Sequence, residues 1–75
     1  MPSVVIEVRR EYSTEQEIAI IEAVHSALVQ HFQIPEKDKH IRFIAHLPHR
    51  FACPPHQEQP EFYTQISIDA FAGRS

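Results

Sequence analysis

The sequence predicts an α+β fold: one βαβ unit with a parallel strand pair and one long helix, followed by a further strand. Three observations lead there. Residues 4–8, 41–47 and 62–70 alternate apolar and polar positions with period two, a long helical stripe separates the first two segments, and a proline-rich connection separates the last two.

In the first segment Val4, Ile6 and Val8 alternate with Val5, Glu7 and Arg9, and their β-branching suits a strand with one buried face. Ser13-Thr14-Glu15-Gln16 then reads as a capping box, in which Ser13 accepts from the Gln16 N–H while the Gln16 side chain reaches back. From Ile18 onward, Ile21, Val24, Leu28 and Phe32 recur at helical spacing, widened by Ala19, Ala23 and Ala27, until Pro35 forbids continuation. His25 and His31 are expected on the helix surface. The second strand follows, with Ile41, Phe43, Ala45 and Leu47 alternating with His40, Arg42, Ile44 and His46. A strand, a helix and a strand in succession imply a parallel pair joined by a right-handed crossover. Residues 48–60 hold four of the 6 prolines and no sustained period, the mark of a loop. In the third strand Phe62, Thr64, Ile66, Ile68 and Ala70 alternate with Tyr63, Gln65, Ser67 and Asp69.

The two ends of the chain overlay without a gap at an offset of 62 residues: Val4 on Ile66, Ile6 on Ile68, Glu7 on Asp69, Val8 on Ala70 and Ser13 on Ser75. This suggests a repeated βαβ unit whose second copy is only begun, with chance agreement between two short strands as the competing explanation. The expected organisation is a single domain over 1–75: a first unit at 1–47, a loop at 48–60, and the first strand of an incomplete second unit at 61–75.

Composition narrows the function classes. At 75 residues, 43% hydrophobic and 23% charged, the chain holds one core, and so small a core usually needs disulfides, a metal or other subunits. The lone Cys53 excludes an internal disulfide, so association is expected. A net charge of -3 with scattered Lys and Arg offers no stripe for nucleic-acid phosphates. The opening reaches Glu7 too soon for a signal peptide and no apolar run approaches membrane-spanning length, so no membrane partner and a cytoplasmic location are expected.

Four features resemble the tautomerase superfamily, the family of 4-oxalocrotonate tautomerase, malonate semialdehyde decarboxylase and macrophage migration inhibitory factor. They are Met1-Pro2 opening into an apolar strand, Ser13-Thr14-Glu15-Gln16, the turn Ile34-Pro35-Glu36-Lys37-Asp38, and Gly73-Arg74-Ser75. The resemblance covers the whole chain and is nearest to members that fuse two βαβ units, against which this chain reads as truncated. It implies a homo-oligomer, trimeric for fused members or hexameric for short chains. It also implies a small carboxylic-acid substrate, an isomerase-type reaction and no cofactor.

The chemistry rests on Pro2. Only an amino-terminal proline offers a secondary amine, and an α-amino group has a reference pKa of about 7.7 to 8, so its neutral form serves as a base near pH 7. Removal of Met1 is the condition. The resemblance implies Pro2 as general base or acid, Arg42 binding a substrate carboxylate, Asp38 assisting, and Arg74 serving the site from the second unit. A guanidinium suits a carboxylate because it donates in bidentate fashion. Tyr12 stands where short members carry a substrate-binding arginine, which makes Arg9 and Arg10 candidates to compensate.

Two alternatives accompany this reading. A noncatalytic assembly protein on the same fold is favoured by Tyr12 and the missing second unit. A small zinc module is suggested by His46, His49, Cys53 and His56, although their spacing is loose and Pro48 interrupts the first pair, so no metal is assigned.

Overall fold

The computed structural model describes residues 3–69. In chain order the elements are β1 (Ser3–Val8), α1 (Thr14–Phe32), β2 (Ile41–Ala45), one-turn 3-10 helices at Pro48–Arg50 and Pro60–Phe62, and β3 (Thr64–Asp69). The strands form one mixed sheet in the order β2-β1-β3, with β1 parallel to β2 and antiparallel to β3. The βαβ unit with its parallel pair is therefore present, and the further strand joins on the other side of β1.

Alternation along β1 decides the core. Val4, Ile6 and Val8 are at most 1% exposed and pack with Leu28 of α1 and with Ile34. Burying such a side chain contributes roughly 1.5–3 kcal/mol. Ile21, Val24, Ile41 and Phe43 pack around this cluster, and α1 thereby covers one face of the β1–β2 pair. The stripe runs past its cover, since Ile18 is 55% and Phe32 57% exposed. A 19-residue helix is about 28 Å long, whereas strands of 5 or 6 residues span only about 17–20 Å, so the strands are shorter than the stripe they face.

Local chemistry starts and stops the helix as the sequence predicts. Gln16 N donates to Ser13 Oγ at 3.1 Å, and Ser13 N donates to Gln16 Oε1 at 2.9 Å. Ser13→Ala is expected to cost about 1 kcal/mol in urea unfolding, with the Gln16 amide gaining exchange rate. At the other end Gln33 takes the left-handed conformation at φ 56, ψ 37, turning the chain before Pro35. His25 departs from expectation: it is buried at 8% exposure, on the inward side with Leu28. Its Nε2 has no partner among the described residues. Imidazole is intermediate in burial preference, so the residue type gave no warning.

Lys39, in the turn before β2, pairs with Glu22 of α1. This hydrogen bond and the lysine charge hold the Glu22 carboxyl below the ordinary glutamate range. A depressed folded-state pKa stabilises the fold above the unfolded value, and that contribution disappears as pH falls through the folded value. The pair is exposed and its worth is small. An NMR titration is expected to place Glu22 low and to return it to the ordinary value in Lys39→Met.

Two boundaries differ from the sequence reading. β2 stops at Ala45, because Pro48 opens a 3-10 turn and leaves Leu47 52% exposed. β3 begins at Thr64 because Phe62 closes the turn that Pro60 opens. The expected continuation through Ala70 lies outside the described residues.

The register also gives the internal repeat a geometric meaning. An offset of 62 residues equates Val4 with Ile66 and Ile6 with Ile68, while the ladder pairs Val4 with Ile68 and Ile6 with Ile66. Both relations hold together when a local twofold passes between Val5 and Ser67, which satisfy the offset and face each other. Ile66 and Ile68 thus share the helix-side face of the sheet with Val4 and Ile6. They remain 48% and 45% exposed because α1 does not extend over β3.

Candidate active site

Of the predicted site residues, Asp38 and Arg42 fall within the described chain, the first just before β2 and the second on it. Val4 N donates to His40 O at 2.9 Å, the rung that brings the start of β2 alongside the start of β1. Two residues earlier Asp38 is partly buried, in a turn closed by its own N–H donating to Pro35 O at 3.0 Å. Arg42 stands beside Val5 and is exposed on the face opposite Ile41 and Phe43, as the alternation predicts. Neither Asp38 nor Arg42 forms an ion pair among the described residues. Across the sheet Ser3 faces Asp69, the last residue of β3, and Val5 faces Ser67. Pro2 and Arg74 lie outside the described residues.

The carboxyl-terminal end of β1 is built differently. The Arg9 guanidinium donates from Nη2 to Pro48 O at 3.0 Å, and from Nη1 to Pro60 O at 2.9 Å and to Cys53 Sγ at 3.2 Å. It therefore fastens both ends of the connection at 48–60. Arg10 lies over the rings of Tyr12 at 5.3 Å and Phe62 at 4.8 Å, and Tyr12 meets Phe43 edge-on at 6.2 Å. Six strand residues separate this end from Ser3 by about 20 Å. Arg9 and Arg10 lie with Tyr12, the motif position, on the connection between β1 and α1. Nothing local in sequence signals the Arg9 brace, whose partners lie 39, 44 and 51 residues away.

His46 belongs to this end as well. Its Nε2 lies 2.8 Å from Glu7 Oε1. Period two places both residues on the open face, and the β1–β2 register brings them together. Among the described residues no group of three His, Cys, Asp or Glu side chains gathers as a metal ion needs. Of the four residues of the zinc alternative, His46 meets Glu7 and Cys53 meets Arg9. Among the described residues, no helix is long and apolar enough to cross a membrane.

A parallel β2-β1 pair, one crossover helix and a third strand antiparallel to β1 define the βαβ unit of the tautomerase superfamily, and the chain has that superfamily's fold. No protein-family profile and no curated protein matches the sequence. Among solved structures the chain is similar to the crystal structure of FG41 malonate semialdehyde decarboxylase inhibited by 3-bromopropiolate, with a TM-score of 0.69 and 30% identity. The match covers 97% of this chain and 58% of that one, so the chain spans a little over half the length of the protein it resembles.

Proposed function

We propose that the chain is a tautomerase-type enzyme in which Pro2 moves a proton on a small oxo, enol or unsaturated carboxylic acid. The strand register carries this reading. Pro2 is bonded to Ser3, which faces Asp69; Val4 is bonded to His40, two residues beyond Asp38; and Val5 stands beside Arg42. Arg74 follows Asp69 by five residues, a reach of at most about 17 Å. Arg42 and Asp38 thus lie on or just before the strand that runs beside the start of β1, and the reading adds Pro2 and Arg74 to them.

In the reaction, the neutral proline nitrogen takes a proton from the carbon next to a carbonyl, leaving an enolate, and returns it at another atom of the conjugated system. Arg42 holds the substrate carboxylate by charge-assisted hydrogen bonds, and Arg74 supports it. Asp38 assists by orienting substrate or water. Malonate semialdehyde and 3-bromopropiolate, named for the similar protein, are both three-carbon carboxylic acids, which supports the substrate class.

The reading includes a homo-oligomer, with β3 as the first strand of a second unit. Ile66 and Ile68 next to the exposed Phe32 form an apolar surface that further subunits would cover.

The test combines intact mass, to establish loss of Met1, with ketonisation of phenylenolpyruvate and exposure to 3-bromopropiolate. The expected result is a processed amino terminus, measurable ketonisation, and inactivation with a mass increment on the Pro2 peptide. Arg42→Ala is expected to lower kcat/KM about tenfold to a hundredfold, mainly through KM, by loss of a charge-assisted pair. A retained Met1 with no turnover would overturn the enzyme reading and leave the noncatalytic one, which the packed Tyr12 favours.

A further inference from the structure

The carboxyl-terminal end of β1 holds a second constellation that the Pro2 chemistry does not use. The hydrogen bond of 2.8 Å between His46 Nε2 and Glu7 Oε1 joins two side chains that are 26% and 29% exposed. A carboxylate only accepts, so the imidazole carries a proton on Nε2, and in its neutral form the ring offers Nδ1 as an acceptor. The ring is steadied from the side, since it packs on Phe51 at 5.3 Å and Phe51 packs on Tyr63 at 5.4 Å. Among the described residues Nδ1 has no hydrogen-bond partner, and it is not among the polar atoms buried without one.

His46 borders an open cleft of about 420 Å³ whose wall is largely apolar, made by Leu47, Pro48, Pro60 and the flank of Arg9. The two prolines are the ends of the 48–60 connection, and the Arg9 guanidinium holds each by its carbonyl, at 3.0 and 2.9 Å. The walls are thereby set before any ligand arrives. Apolar walls, one oriented polar group and little ordering on binding are what small-molecule sites require. Glu11 and Glu61 line the same cleft as Arg9 and Arg10, so the rim offers an anion no net attraction.

We propose that this cleft is a second ligand site, for a small planar apolar molecule carrying one hydroxyl, a neutral phenol by class. Its O–H donates to His46 Nδ1, while its ring lies against Leu47, Pro48 and Pro60. Glu7 acts as a positioning residue by fixing the imidazole tautomer. The site lies about a strand length from Ser3.

The experiment is equilibrium dialysis of para-cresol against the full chain, with NMR of the His46 imidazole to locate it. Saturable binding that shifts the His46 signals is expected. Affinity is expected to fall at least about tenfold in His46→Phe, which keeps a ring on Phe51 but offers no acceptor. Leu47→Asp is expected to do the same by charging the wall. Leu47 is 52% exposed, so that variant folds and carries the test even if His46→Phe does not. Pro2→Ala is expected to bind unchanged. Binding that fails to saturate, or survives Leu47→Asp, would overturn the proposal. Binding lost in Pro2→Ala would assign the phenol to the other end of the sheet and equally overturn it.

Discussion

Pro2→Ala is expected to lower phenylenolpyruvate ketonisation by about two orders of magnitude, and an uncleaved Met1 ahead of Pro2 by the full contribution of a general base, about 10²–10⁴-fold. Two physical terms separate these outcomes. Alanine keeps an α-amino group of similar basicity, so a base remains. It lacks the pyrrolidine ring that prevents rotation about N–Cα, so the lone pair is no longer held toward the substrate. Proton transfer needs the base within about 2.6–3.2 Å, and a small loss of aim is costly. A preceding methionine converts the amine into an amide, which has no base to offer. The core residues of β1 start at Val4, so the urea midpoint is expected to stay within error for both forms. Loss of activity together with loss of stability would mean that residue 2 is structural and would count against the proline reading.

Ile6→Ala carries the largest expected stability effect. Ile6 is 0% exposed, sits in the middle of the central strand, and stands between Phe43 of β2 and Ile66 of β3. Removing its side chain leaves a cavity under α1 that a one-layer core cannot refill, at a cost of about 2–5 kcal/mol. Small domains have only about 5–15 kcal/mol in total, so this is a large share. Val5→Ala, one residue away on the open face, is expected to cost less than about 1 kcal/mol, since Val5 is only half-buried. Urea unfolding of the two variants tests the assignment of faces. Equal costs, or the reverse order, would show that the open face is packed in the native assembly.

How much was readable in the sequence varied with the range of the interaction. The alternation at Val4, Ile6 and Val8, the Ser13–Gln16 capping box and the stop before Pro35 are decided by neighbours within a few residues, and all three stand in the structure. The orientation of Arg42 away from Phe43 was legible for the same reason. His25 was not, because its burial depends on where α1 rests on the sheet. Nor was the exposure of Ile18 and Phe32, which belong to the apolar stripe but are left uncovered by the sheet. The candidate site divides likewise: Asp38 and Arg42 were named from the resemblance, while the hold of Arg9 on Pro48, Cys53 and Pro60 joins segments far apart in the chain.

The sequence by itself determined the elements, their order and the parallel pairing of β1 with β2, because a strand, a helix and a strand leave one short right-handed way to connect. Only the tertiary structure decided that β3 returns antiparallel to β1 with the twofold at Val5 and Ser67, that its end meets Ser3, and that Glu7 meets His46. Those facts rest on register. A register is set by how two distant segments bury their apolar sides against a common helix, and a shift of two residues would preserve every alternation in the sequence while separating Asp69 from Ser3.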